Sequence, residues 1–299
     1  MRISIITPSY NQGKYLERTI LSIWNQQGDF ELEHIVIDGG SNDQSMEIVK
    51  KYDHLYQRGH FPFKCKSFKF IWRSEKDEGQ SDALNKGFAL GTGEIFGWLN
   101  SDDLFVNNES LQAIDQAFIK YGPDIVVGNA LFIDENDQSI SDTHLMINRI
   151  DNDTFQKELA AIQNYNIIIQ PSCLFRKHIW ETLRIDDYYY IMDWALWINA
   201  FKSHYSFLKI DNYIGSNRIQ TSSKTVFASM DKTEAVKRTI EINSMYKKNN
   251  VWCVNRFYFL LFLLLLKISA FAPLGTFMDR LITRGKKLRN ILIDKYKLY

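Results

Sequence analysis

The sequence predicts an α/β fold built on a mostly parallel central sheet flanked by helices, and three stretches lead to it. Ile3-Ser4-Ile5-Ile6-Thr7-Pro8 is a short apolar strand that stops at a proline, after which Leu16, Ile20, Ile23 and Trp24 recur at helical spacing. A second strand over Glu33–Asp38 ends in Asp38-Gly39-Gly40-Ser41 and leads into a helix over Ser45–Tyr52. Strand, turn, helix, strand, turn, helix is a βαβ start, which demands parallel pairing with right-handed crossovers. The third stretch is Ile95–Leu104: Ile95, Phe96, Trp98 and Leu99 form a strand apolar on both faces that runs straight into Asn100, Ser101, Asp102 and Asp103. Parallel sheets place ligands at the carboxyl ends of their strands, so Tyr10, Asn11 and Asp38 belong on one edge with Asp102.

The remaining elements follow in order. His54–Ser67 is basic and aromatic and reads as a loop, Lys69–Arg73 as a third strand, and Asp82–Leu90 as a helix closed by Gly91 in a left-handed cap. A helix is expected over Asn107–Lys120, and two strands over Asp124–Val127 and Ala130–Ile133, with a hairpin-like turn at Asp134–Asp137. Asn152–Gln163 reads as a helix and Ile167–Phe175 as an apolar stretch around Pro171. Tyr188–Phe201 surrounds one acid, Asp193, with a helix starting just after it. Ser206–Ile210 and Tyr213–Ile219 read as strands and Met230–Lys247 as a helix.

Composition narrows the function. With 299 residues the chain holds one large domain plus an appendage, or two domains. A net charge of +1 gives no overall steering toward nucleic acid, and three scattered cysteines form neither zinc spacing nor a disulfide framework, which suits a reducing cytosol. The N-terminus enters a strand without a signal-peptide pattern. The charge is uneven. From Val251 onward nine basic residues face two acidic ones, a net of +7, while the first 250 residues carry 27 against 33, a net of −6. Phe257–Leu266 is a run of ten apolar residues, shorter than the ~20 that a spanning helix needs. Arg280, Arg284, Lys286, Lys287 and Arg289 then alternate with Leu281, Ile282, Leu288, Ile291 and Leu292 as a basic amphipathic helix. Attachment to an anionic membrane surface is the leading reading, ahead of a packing or dimer helix and of a true span.

The chemistry at the strand ends suits a nucleotide diphosphate that carries a group to be transferred. Adjacent carboxylates at Asp102 and Asp103 repel unless a hard divalent ion offsets them, although an Asp pair also caps a following helix. Tyr10 and Asn11 either wall a base slot or only shape a turn and cap the first helix. Asp38 either accepts from base or ribose or only closes an Asp-Gly turn. Asp193 either takes the proton of an attacking hydroxyl or caps its helix. A Walker phosphate loop and a Gly-x-Gly-x-x-Gly fingerprint are both absent, which argues against P-loop enzymes and dinucleotide oxidoreductases.

The ordered motifs Thr7-Pro8-Ser9-Tyr10-Asn11, Val36-Ile37-Asp38-Gly39-Gly40-Ser41, Glu75-Lys76-Asp77-Glu78-Gly79 with Asp82 to Gly87, and Trp98-Leu99-Asn100-Ser101-Asp102-Asp103 resemble family 2 glycosyltransferases, in particular the bacterial branch that builds capsules, exopolysaccharides and lipopolysaccharide. Gln170-Pro171-Ser172, Met192-Asp193-Trp194 and Arg218 with Ser223-Lys224-Thr225 resemble later family segments. The resemblance covers residues 1–225 and implies a GT-A fold there, with a nucleotide-binding half (1–105) and an acceptor half (106–225); the composition of 226–299 predicts a helical membrane-associating region after it. The resemblance implies inverting transfer from a nucleotide-diphospho sugar, a UDP sugar first among them, to a glycan or lipid-linked acceptor, usually with Mn²⁺ or Mg²⁺, on the cytoplasmic side of the bacterial inner membrane. By position it puts Pro8, Tyr10, Asn11 and Asp38 in the nucleotide pocket. Asp82, Asn85 and Lys86 fall on a helix facing sugar or phosphates, and Asn100, Ser101 and Asp102 at the donor. Asp102 and Asp103 fall at the ion, and Asp193 at the general base. The chain departs from the family pattern at Asn100, at Asp38-Gly39, at Met192 and Ala195, and at Gln220, where an acid, an acid pair, acids and a histidine are usual. A sugar nucleotidyltransferase and a non-catalytic protein on the same fold are the alternatives.

Overall fold

The computed structural model describes residues 1–141, 152–159, 162, 166–185, 188–220 and 232–248. Contacts group the chain into a unit from Met1 to Met245 and a second from Tyr246 to Tyr299. The apolar run at 257–266 and the basic stretch beyond it lie outside the described residues. Among the described residues no helix is long and apolar enough to cross a membrane.

The first unit opens as βαβαβ: β1 (Arg2–Ser9), α1 (Gly13–Trp24), β2 (Gln27–Asp38), α2 (Ser45–Gln57), β3 (Lys64–Ser74), α3 (Gln80–Leu90) and β4 (Ile95–Trp98). β1 pairs in parallel with both β2 and β4, and β2 in parallel with β3. The chain continues through β5 (Leu104–Phe105), α4 (Ser110–Tyr121), β6 (Ile125–Ile133), β7 (Ser139–Ser141) and α5 (Asn152–Leu159). A 3₁₀ turn at Gln170–Ser172 precedes β8 (Cys173–Arg176), α6 (Lys177–Leu183), α7 (Met192–Lys202), β9 (Phe207–Arg218) and α8 (Lys232–Lys248). The sheet order is β3-β2-β1-β4-β8-β6-β9-β5, with β7 on β6. β8 is antiparallel to β4 and β6, so it joins a parallel half to a mixed half.

Burial explains the framework. Ile3, Ile5 and Ile6 of β1 are all buried, as a central parallel strand covered on both faces requires, and Leu16, Ile20 and Ile23 of α1 close one face. Trp24 ends α1 inside an aromatic box: Tyr52, Phe61, Phe68 and Phe70 stand 5.1–5.2 Å from it, each edge-on.

That box corrects the loop expected over 54–67. α2 continues to Gln57 and β3 starts at Lys64, so the connection shortens to 58–63, where Phe61 and Phe63 are partly buried and pack, with Phe68 of β3, against Trp24. Gly91 is extended (φ −69°, ψ 137°), not left-handed; the left-handed cap is Gly122, at φ 63° after α4. The two strands expected on either side of Gly128 are one, β6. A Cβ at Gly128 would lie 2.2 Å from Ile214 Cγ1, so the glycine admits β9 rather than ending the strand. Likewise 207–218 is one strand, β9.

Candidate functional site

The turn after β1 and the loop after β2 are interlocked. Asn11 is left-handed at φ 53°, a conformation that Asn tolerates, and leaves Tyr10 61% exposed beside it. The Asn11 amide donates to Ser41 Oγ (2.8 Å), while Asn11 Oδ1 accepts from the Asn42 amide (2.9 Å). Asn11 therefore does not cap α1; Asp43 Oδ2 accepts from the Gly13 amide at 2.8 Å and does that work from the other loop. Pro8 is buried in β1 below them.

Asp38 was expected at the base or ribose. It is 1% exposed, and its carboxylate accepts from the Gly40 and Ser41 amides (3.0 Å each), from Ser74 Oγ (2.7 Å) and from Ser41 Oγ. Three donors meet Oδ2 and one meets Oδ1, so Asp38 first of all holds the loop that walls the site.

On α3, Lys86 Nζ bridges Asp82 (2.9 Å) and Glu75 (3.1 Å) at a partly exposed rim. Asn85 points the other way and corrects the donor-facing expectation. Its Oδ1 accepts from Trp180 Nε1 (2.9 Å) and the Ile185 amide (3.2 Å), and its Nδ2 donates to the Ile185 carbonyl (3.1 Å). Asn85 thus ties α3 to the end of α6.

The loop after β4 is organised by Asp103, which was expected beside Asp102 at the ion and is instead internal. Asp103 is 1% exposed, with Oδ1 accepting from the Arg218 amide (2.9 Å) and Oδ2 from Asn100 Nδ2 (3.0 Å). Burial, with the neighbouring Asp102 charge, pushes its carboxyl well above the usual range. Ser101 is also buried. Asn100 Oδ1 accepts from Gln80 Nε2 at 2.7 Å.

Asp102 stays partly exposed at the rim, where its Oδ2 accepts from Gln220 Nε2 at 2.7 Å. Its carbonyl accepts from Arg218 Nε at 2.7 Å. The Arg218 side chain is fully buried, lies over the Tyr15 ring (4.6 Å) and reaches the Asp134 carbonyl and Asp137 Oδ1 in the turn after β6. Lys14 and Arg18 of α1 hold the same turn through Glu135 and Asp137. Sequence reasoning placed Arg218 in a motif but gave it no role at Asp102.

Asp193 lies in the first turn of α7 rather than at the cap, where Ile191 stands and no side chain caps. Its Oδ2 accepts from Asn166 Nδ2 at 3.1 Å. Burial raises its carboxyl, while hydrogen bonds from the Trp194 amide and Asn166 and the nearby Arg238 charge pull it back. Asn166 carried no periodic or motif signal in the sequence.

A run of covalent and hydrogen bonds links Asp102 and Asp193 through the start of α3. From Asp102 the loop leads back to Asn100, which Gln80 holds. The next residue, Ser81, donates Oγ to the Tyr188 carbonyl (3.0 Å) and sits 3.5 Å from Met192 Sδ, beside Asp193. Gln170 Nε2 also donates to the Trp98 carbonyl (2.6 Å), and Trp197 of α7 stacks on Trp98 of β4 at 5.9 Å.

This fold, an α/β sheet of the GT-A kind with polar groups at the ends of its parallel strands, is that of a sugar-nucleotide transferase class. The sequence pattern of glycosyl transferase family 2 matches residues 4–184, and the chain belongs to that family. An uncharacterised glycosyltransferase of Nostoc is 30% identical over 141 residues, 45% of this chain and 40% of that protein. The GalNAc(5)-diNAcBac-PP-undecaprenol beta-1,3-glucosyltransferase of Campylobacter jejuni is 25% identical over 202 residues, 67% of this chain and 60% of that protein. The chain thus spans about two fifths of the length of the first of these relatives. Among solved structures, glucosyl-3-phosphoglycerate synthase of Mycobacterium tuberculosis, with Mn²⁺ and UDP, superposes with a TM-score of 0.53 at 16% identity over 85% of this chain and 81% of that one.

Among the described residues no group of three or more His, Cys, Asp or Glu side chains could hold a metal by itself. A Mg²⁺-type ion carried mainly by phosphate oxygens needs only one or two protein carboxylates. Asp102 fits that demand, and Gln220, turned over, would present Oε1 as a second oxygen.

Proposed function

We propose that the chain is an inverting glycosyltransferase that moves a sugar from a nucleotide-diphospho sugar to a hydroxyl of a glycan or lipid-linked acceptor in bacterial surface polysaccharide synthesis. One observation carries the reading: Asp102 and Asp193, 91 positions apart in the chain, are joined through Gln80 and Ser81 at the start of one helix.

The donor's base is flanked by Tyr10 and Asn11, on a wall that Asp38 keeps rigid. Its diphosphate lies toward Asp102 and the Asp82–Lys86 rim. A divalent cation on Asp102 supplies positive charge for the departing diphosphate. Asp193 takes the proton of the acceptor hydroxyl as that oxygen attacks the anomeric carbon opposite the leaving group, which inverts the centre. A carboxyl raised by burial and partly pulled back by Asn166 and Arg238 suits a proton acceptor. The Campylobacter relative is named for an undecaprenol-PP-linked acceptor, which supports a lipid-linked acceptor here. The basic region 251–299 would then hold the enzyme on the cytoplasmic face of the inner membrane.

The departures at Asn100 and Gln220, together with the inward bonding of Asp38, favour a non-catalytic protein on this fold as the second reading. The test is a panel of UDP and GDP sugars with Mn²⁺, with and without EDTA. With an acceptor extract the transferase releases nucleoside diphosphate only without EDTA; with added pyrophosphate a nucleotidyltransferase releases nucleoside triphosphate and sugar phosphate, and a binding protein releases none of these. Removing 251–299 should free the protein from anionic vesicles; retained binding refutes the anchor.

A further inference from the structure

α7 begins without a side-chain cap. Ile191 occupies the cap position and offers no acceptor, so the segment that leads to Asp193 must be fixed by something else. One side of that segment is held by Ser81, through the Tyr188 carbonyl and Met192. The other side is held by Glu241, whose Oε1 accepts from the Tyr189 amide and whose Oε2 accepts from the Tyr190 amide, both at 2.8 Å.

We propose that α8 belongs to the catalytic centre, with Glu241 as a positioning residue that fixes the Tyr189–Tyr190 backbone and thereby places Asp193. Two consecutive amides on one carboxylate define both the height and the direction of the chain, in the manner of a fork, and charge-assisted bonds of this kind are stronger than neutral ones. Glu241 also brings a negative charge that acts, like that of Asp193, on Arg238. Arg238, one turn earlier on the same helix, offsets both, since the charges of Asp193 and Glu241 each act on it together with Tyr190. The groups facing Asp193 are therefore Asn166 from the preceding loop, the buried thiol of Cys173 from β8, and Arg238 from α8. Both Asp193 and α8 lie beyond the residues that the family pattern matches.

The inference rests on the reading of Asp193 as the base, and the experiment separates the two. In the full chain, Glu241→Ala and Glu241→Gln are compared with Asp193→Asn. The measurements are UDP binding by calorimetry, amide exchange of the peptide carrying Tyr189 and Tyr190, and UDP release from UDP sugars with Mn²⁺. Glu241→Ala should speed exchange at those two amides and lower kcat by roughly 10–100-fold, with UDP affinity within about twofold. Glu241→Gln, which keeps one acceptor, should recover part of the rate. Arg238→Met should move the acid limb of kcat/KM to higher pH. Unchanged exchange, unchanged kcat, or UDP binding lost in step with transfer overturns the inference. An active Asp193→Asn beside an impaired Glu241→Ala overturns the base reading alone, leaving α8 as the support of this loop.

Discussion

Gln220 donates its side-chain amide to Asp102 across 2.7 Å, so the acid proposed to carry the ion is already held by a neutral partner. A partner of this kind orients a ligating carboxylate, and its removal typically weakens metal affinity 10–100-fold. Gln220→Leu should therefore raise the Mn²⁺ concentration for half-maximal release by roughly tenfold. An unchanged Mn²⁺ requirement contradicts the coupling.

Arg218 is the buried clasp behind that pair. Replacing it by Met strands the Asp102 and Asp134 carbonyls and removes a charge from Asp137. Leaving those carbonyls without their donor costs about 1–3 kcal/mol, which urea unfolding of Arg218→Met should show. A variant as stable as the parent would mean that Arg18 alone suffices at Asp137.

Gly215 passes under the 3₁₀ turn so closely that a Cβ would stand 2.1 Å from the Pro171 carbonyl oxygen. Backbone cannot yield as a side-chain tip does. Gly215→Ala should cost about 1–3 kcal/mol and disturb Gln170, which holds the end of β4 through Trp98. A fully stable Gly215→Ala protein would contradict the packing described.

His34 gives a pH dependence of definite sign. Trp24 Nε1 donates to its Nδ1 (3.0 Å), so Nε2 carries the proton toward Thr7 Oγ1 (3.0 Å), and the ring is fully buried and neutral. Burial lowers its pKa from 6.5 to about 3. The unfolded chain then binds the extra proton first, so stability is complete above pH 6.5 and is lost as pH falls toward 3. At pH 5 the loss is about 2 kcal/mol relative to pH 7.5. Urea unfolding at the two pH values, for the parent and for His34→Gln, should show this difference in the parent only; equal slopes would contradict it.

The legible part of this protein was whatever repeats or alternates. The parallel order of β1, β2 and β4, the strand-end position of Tyr10, Asn11 and Asp102, and the helix after Asp38 all follow from periodicity and turn chemistry. Side-chain direction did not. Asp38, Asp103 and Asn85 sit at the expected places in the chain yet turn inward, because each meets donors or acceptors contributed by distant segments: Ser74, Arg218 and Ile185. The loop expected over 54–67 is too long for the same reason, since only the approach to Trp24 draws Phe61, Phe63 and Phe68 against the core. Asn166 and Glu241 were invisible because single polar residues that bond to a carboxylate or to backbone leave no pattern in a sequence.

The account stands most directly on Asp193→Asn, assayed for UDP affinity and for UDP release from UDP sugars in the presence of an acceptor extract and Mn²⁺. It predicts release lowered by about 10³-fold with UDP binding within about twofold of the parent, as expected when a proton acceptor is lost and the donor pocket is untouched. Release at the parental rate, or loss of UDP binding along with it, would contradict the assignment of Asp193 as the base.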